Sequence, residues 1–260
     1  MDKLIRLYLF KRNDYDALKQ FIKDNVPGYE WTEDEYGNMY GVYPGSDCKC
    51  CIAAHLDQVE AGDISTVIEL DGYLFGEDEN GDPANLGADD KNGVWVAMEA
   101  AKNLRHPKLA FFLDEETGRN GSKACDPAFF ADIACTIVVD RKGDKEIIYE
   151  GRNRQYATLL HVLFKAINPD WNYETGISCD ADSIRKYCDC INISCGCYKC
   201  HTRQEYTCVA ELEESLMAVH RFLDAKYDLF PVFDNINDFR YIAWHSDDES
   251  LTNYNVKGLL

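Results

Sequence analysis

The chain has 260 residues, 46% of them hydrophobic, with a net charge of −19. That length and apolar content suit one sizeable domain with a large core, and the charge argues against nucleic acid or an anionic membrane surface as partner. No run of 18 apolar residues is present to cross a bilayer. Met1 to Asp14 alternates apolar and charged residues and lacks the apolar core of a secretory signal, so a cytoplasmic location is expected. The twelve cysteines are then expected to be mostly reduced.

Residues 15–25 place Leu18, Phe21 and Ile22 at helical spacing. Residues 29–43 read as a hairpin turning at Tyr36-Gly37-Asn38. Cys50 to Ala54 is a short buried strand that runs into His55-Leu56-Asp57. A second hairpin turns at Asp71-Gly72, between Ile68 and Leu70 on one side and Tyr73 and Phe75 on the other. An acidic loop, 76–83, leads to Asn85-Leu86-Gly87-Ala88-Asp89-Asp90-Lys91-Asn92-Gly93. A helix over 94–104 follows, so the aspartates sit where a helix dipole favours negative charge.

Leu109 to Leu113 is an apolar run of the kind found in sheets covered on both faces. It delivers Asp114-Glu115-Glu116-Thr117-Gly118 at its C-terminal end, where open α/β sheets bind ligands. Thr136 to Val139 is a further strand, ending in Asp140. Residues 146–149 read as an edge strand and 155–167 as a helix. Ile191 to Ser194 forms a short strand before a loop that ends in His201, and 211–227 is a closing helix. Strands alternating with helices imply a three-layer αβα architecture around a mixed, mostly parallel sheet. The expected division is a catalytic domain over 1–227 and an extension of unassigned role over 228–260, acidic at its centre.

Histidines and carboxylates therefore gather at strand ends: His55 and Asp57, Asp89 and Asp90, Glu115 and Glu116, Asp140, and His201 in a fifth loop. Adjacent carboxylates are costly to crowd unless cations lie between them. Histidine and carboxylate are ligands that zinc takes, and a shared aspartate is what a two-metal centre needs. Taken singly, each feature also has a structural use: Asp89-Asp90 as a helix cap, Asp140 as the start of a turn, and His201 as a surface residue.

In this order the motifs H-x-D, G-A-D-D, D-E-E-x-G, V-D and C-G-x-x-x-x-H-T-x-x-E resemble the co-catalytic di-zinc exopeptidases, over Lys49 to about Phe222. GADDKNG and LDEETG are most similar to peptidase T. The resemblance implies a two-metal hydrolase of peptide bonds, an aminopeptidase acting on a peptide or aminoacyl amide. Its cofactors would be two divalent ions, zinc first, with cobalt or manganese as alternatives. It assigns His55 and Asp140 to one ion, Glu116 and His201 to the other, and Asp89 to both. Glu115 becomes the general base, Asp57 the carboxylate that holds the His55 tautomer, and Asp180 a residue on the substrate side.

Two departures stand out. Forty residues separate Asp140 from Asp180, and 34 separate His55 from Asp89. Neither interval holds the lid domain many members insert, so a lidless core is expected and the oligomeric state is left open. Cysteines also crowd the approach to His201, and Cys197-Tyr198-Lys199-Cys200-His201 spells the haem c attachment pattern. N-acyl amino acid deacylase and carboxypeptidase chemistry are the alternatives on the same centre. A non-catalytic metal or redox protein built on Cys188 to Cys200, with a thiolate zinc or iron–sulfur cluster, is the alternative of a different class.

Overall fold

The computed structural model describes residues 1–150, 159–176 and 178–225. The extension over 228–260, and the first turn of the helix expected from 155, lie outside them.

Two helices open the chain, α1 (Asp2–Tyr8) and α2 (Tyr15–Asn25). The alternation over Met1 to Asp14 hides α1. Only Leu4, Leu7 and Tyr8 turn inward, and their i, i+3, i+4 spacing makes a one-turn apolar stripe among charges. A hairpin of β1 (Glu30–Glu33) and β2 (Met39–Val42) precedes β3 (Cys50–His55). The second hairpin, β4 (Thr66–Leu70) and β5 (Tyr73–Glu77), is followed by β6 (Pro83–Ala84) and α3 (Ala88–Ala100). Then come β7 (Lys108–Phe112), α4 (Asn120–Lys123), β8 (Cys135–Arg141) and β9 (Glu146–Glu150). The remainder is α5 (Leu159–Ile167), β10 (Asn172–Thr175), α6 (Asp180–Ile184), β11 (Asp189–Ser194), β12 (Cys197–Tyr198), β13 (Tyr206–Cys208) and α7 (Val209–Asp224).

The main sheet has eight strands in the order β1-β2-β7-β3-β8-β11-β9-β10. Its centre, β7-β3-β8-β11, is parallel, while β1-β2, β2-β7 and β11-β9 are antiparallel. Strand β9 is not at the edge, as its sequence suggested. Strand β10 pairs outside it in parallel, and β10 is exposed along its length, so no apolar alternation announces it.

Period-two burial sorts the central strands between two cores. Ile52, Ala54, Leu109, Phe111, Ile137, Val139, Ile191 and Ile193 join one core with α1, α2, α3, α5 and α7. Cys51, Ala53, Ala110, Phe112, Val138 and Cys190 join the other with α6 and the 125–133 turns. The result is the expected three-layer αβα arrangement. Each fully buried Leu, Ile or Phe contributes roughly 2 kcal/mol, so neither face could be left open.

A smaller sheet, β12-β13-β5-β4 with β6 beside β5, stands apart from the main one. The 66–77 hairpin was legible in the sequence. Its pairing with Tyr206–Cys208 was not.

Candidate metal centre

Three adjacent parallel strands end at one rim. In register, His55 lies beside Phe112 of β7, the last residue before the Leu113–Glu116 segment. On the other side Ala53 faces Val138, which brings His55 level with Asp140 two residues on. Strand order alone therefore assembles β3, β7 and β8 residues that lie far apart in the chain.

His55 is buried, and its Nδ1 sits 3.0 Å from the Asp57 carbonyl oxygen. A carbonyl can only accept, so Nδ1 carries a proton and Nε2 is the nitrogen that faces the neighbouring carboxylates. Nε2 lies 3.1 Å from Asp89 Oδ1 and 3.7 Å from Asp140 Oδ1, and donates to these carboxylates when the ring is protonated. The other oxygen of Asp89, Oδ2, lies 3.1 Å from His201 Nε2, which is itself 3.0 Å from Glu116 Oε1. Asp89 thus divides its carboxylate between two imidazoles, and each imidazole has a second carboxylate of its own. The ligand atoms of His55, Asp89 and Glu116 all lie within 4.8 Å of one another, as do those of His55, Asp90 and Asp140.

Asp57 does more than the sequence suggested. Its Oδ1 and Oδ2 accept the backbone N–H groups of Glu115 and Glu116 at 2.9 and 3.0 Å. Its carboxylate approaches His55 Nδ1 at 3.4 Å, farther than its own carbonyl does. Asp57 therefore orients the imidazole through its backbone and clamps the glutamate pair through its side chain.

The charges are far out of balance. No lysine or arginine pairs with Asp89, Glu115, Glu116 or Asp140 among the described residues. Burial pushes Glu115 up to about 8, with Asp140, Asp180 and Glu116 adding to the rise and His55 opposing it. Burial likewise raises Asp140, reinforced by Asp89. Burial opposes the charge on His55, but Asp140, Asp57 and Asp89 outweigh it and hold the ring well above its usual value. Hydrogen bonds that His201 donates to Asp89 and Glu116 raise it to about 10. Such a set of crowded, buried carboxylates around two imidazoles fits divalent cations.

Asp180 begins α6 and is buried. Neither of its oxygens makes a well-formed hydrogen bond, although His55 and Ser122 partly offset the burial that raises it to about 6. Its charge is felt at both Glu115 and Asp140.

Two residues were underread. Asp90 is fully buried, and its oxygens accept the N–H groups of His55 and Gly93 at 3.2 and 3.0 Å. It ties β3 to α3, with a ligand atom within 4.8 Å of those of His55 and Asp140. Glu205, the last residue of the H-T-x-x-E motif, accepts the Ala88 N–H at 2.8 Å and an Asn85 side-chain N–H at 3.2 Å. Here is the cap for α3, supplied from across the fold. Helix α3 begins six residues before the expected position, with Asp89 and Asp90 outside helical geometry. The motif itself was the available signal for Glu205.

The cysteines of 188–200 do not converge on one point, although Cys197 and Cys200 lie together beside Glu205. Cys188 and Cys190 belong to one core and Cys195 and Cys197 to the other, across the sheet. Ten are free, and Cys197 is bonded to Cys200.

No protein-family model matches the sequence, and neither does any curated protein. The fold is similar to that of the aminopeptidase PepT from Bacillus cereus ATCC 10987, with a TM-score of 0.70 and 15% identity over 85% of this chain and 96% of that one. It is similar to a tripeptidase from Staphylococcus aureus subsp. aureus Mu50, at 0.69 and 14% over 85% and 95%. A third is the TET aminopeptidase from the marine sediment archaeon Thaumarchaeota archaeon SCGC AB-539-E09, at 0.67 and 13% over 90% and 99%. The chain shares the fold of these peptidases.

Proposed function

We propose that this chain is a two-metal exopeptidase, an aminopeptidase acting on peptides or aminoacyl amides. The observation that carries the reading is Asp89, whose two oxygens reach His55 and His201 separately. His55, Asp140 and Asp89 would hold one ion, and His201, Glu116 and Asp89 the other. Zinc suits this donor set best, with cobalt or manganese able to take the same ligands. When bound, such ions polarise a scissile carbonyl and make water more acidic.

The chain's own part follows from its geometry. Glu115 is a half-buried carboxylate whose backbone N–H is held by Asp57, positioned to accept a proton from the attacking water and return it to the leaving amine. Asp57 fixes the Glu115 and Glu116 backbone so that base and ligand cannot move apart. Asp180, buried with under-used oxygens, is assigned to receive the substrate's α-ammonium group. That choice separates an aminopeptidase from a deacylase, whose substrate has no such charge. The cytoplasm is the proposed location; no helix among the described residues is long and apolar enough to cross a membrane.

Elemental mass spectrometry of the purified protein, followed by a substrate panel, tests the reading. About two ions per chain and turnover of free aminoacyl amides are expected. Turnover of only N-acylated amino acids would replace aminopeptidase with deacylase, and of only N-blocked dipeptides with carboxypeptidase. Iron, or a single zinc lost on thiol alkylation, would move the chemistry to the cysteines and sink the proposal.

A further inference from the structure

We infer that Cys197 and Cys200 form a reversible thiol–disulfide site, modified by small-molecule disulfides, that anchors His201. The consequence for metal binding rests on the two-metal reading above; the thiol chemistry does not.

The pair is bonded, with Cα atoms 6.5 Å apart, inside the usual span for a disulfide. Its two members differ in access. Cys197 is fully buried in β12, whose ladder pairs it with Thr207, and its carbonyl accepts the Gly143 N–H at 2.9 Å. Cys200 is only partly buried and directly precedes His201. The backbone around it is unusual: Lys199 and His201 are both left-handed, at φ of 51° and 66°. Non-glycine residues keep that conformation only where their surroundings hold them there. Thr202 Oγ1 donates to the Lys199 carbonyl and the Glu205 N–H to the Thr202 carbonyl within the loop; beyond His201 the Thr202 carbonyl also accepts an Asn85 side-chain N–H at 3.2 Å, and Arg203 reaches Asp78 at 3.4 Å. The covalent tie from Cys200 to Cys197 reaches the sheet. The His201 side chain is 49% exposed and held by Asp89 and Glu116 at 3.1 and 3.0 Å, and the tie adds to these contacts by fixing the backbone just before it.

The exchange balances with a disulfide RSSR as oxidant. The Cys200 thiolate attacks one sulfur of RSSR and releases one RS⁻. Cys197 then attacks Cys200 Sγ and displaces the second. The cysteines lose two electrons, RSSR gains them, and the two thiol protons end on two RSH molecules. Excess thiol reverses both steps.

Trypsin supplies a direct readout, because it cuts after Lys186, Lys199 and Arg203. Residues 200–203 then remain joined to 187–199 only through a disulfide. The protein would be equilibrated in oxidised and reduced glutathione, alkylated and digested, and each form titrated with cobalt by absorbance. The expected result is a linked peptide in the oxidised form that is lost in C197S and C200S. The second cobalt should also bind about tenfold more weakly in the reduced form and in both variants, the scale of losing a residue that orients a ligand.

A linked peptide that survives C197S, or never forms, overturns the site. Equal cobalt affinity in both redox forms overturns the anchoring and leaves the peptidase reading intact. Thiolate-to-cobalt absorption in the reduced form also overturns the anchoring, because Cys197, Cys200 and Glu205 would then be holding metal themselves. Failure to bind any cobalt in either form overturns the metal reading and with it the coupling, while the peptide still decides the disulfide. The comparison of redox forms of the wild-type chain stands even if a variant fails to fold.

Discussion

Asp89 and Glu115 can be separated by their failures. On the proposed two-metal reading Asp89 is shared, so D89N should lose both ions together rather than one, which elemental analysis would show; retention of one full ion would mean the aspartate is not the bridge. On the same reading Glu115 lies beside the proposed ligands without being one. E115Q should keep two ions and lose roughly 10²- to 10⁴-fold in kcat, the usual weight of a positioned base. A metal-loaded E115Q with undiminished turnover would remove Glu115 from that role. Away from the centre, His161 is buried, with Nε2 2.8 Å from the Ile148 carbonyl oxygen. Burial depresses it to about 4, against roughly 6.5 in the unfolded chain. Between those values the unfolded chain binds a proton that the folded one refuses. Stability therefore rises with pH across the window, and is lost as pH falls from 6.5 towards 4. H161Q should flatten that slope by up to about 3 kcal/mol. Urea midpoints at neutral and acid pH, compared between the two proteins, would decide it; identical slopes would refute the assignment.

The element that matters most is α3, because its first turn must pass against the end of β8. Gly93 makes that crossing possible: a Cβ there would stand 2.2 Å from the Val139 carbonyl oxygen and 2.4 Å from Asp90 Oδ1. Backbone cannot yield as a flexible side chain would. G93A should cost roughly 1–3 kcal/mol as overpacking and, by displacing Asp90 and Asp140, should lower metal content as well. G72A makes the control: it has open space but a left-handed φ of 83°, so it should cost about 1 kcal/mol and leave the ions in place. If both variants lose the same stability and keep their metal, the crossing does not position the centre. Asp90 and Glu205 act at this scale too, one tying β3 to α3 and the other capping α3.

At the scale of the whole molecule, the central strands bring carboxylates together more closely than their charges favour, and ligands from β3, α3, β7, β8 and the β12–β13 loop must meet at once. Ions that bind only this assembled set stabilise the fold by mass action, by about 4 kcal/mol at a thousandfold excess over Kd. Excess zinc should therefore raise the Tm of the chelator-treated protein by roughly 5 °C or more, and should leave D89N unmoved. An equal rise in D89N would place the stabilising ion elsewhere. Between β8 and α6 the described chain holds β9, α5 and β10, with no lid domain. On the proposed reading, substrate contacts would come from the rim itself, with Asp180 among the candidates.

The sequence by itself determined the parts whose signal is local. The apolar runs of β3, β7, β8 and β11, the stripe of α2 and the two turn-marked hairpins follow from burial periods within a few residues. The motif order pointed to His55, Asp89, Glu116, Asp140 and His201, which the structure gathers at one rim, but gave no role to Asp90 or Glu205. Tertiary structure alone decided the rest. The exposed strand β10, which moves β9 inward, has no periodicity to read. The pairing of β5 with β13, the Glu205 cap on α3 and the clamp of Asp57 on Glu115 each join residues dozens of positions apart. The division of Asp89 between His55 and His201 belongs to the same class, as does the separation of the cysteines by the sheet. These contacts depend on which strands become neighbours, and no local pattern records that choice.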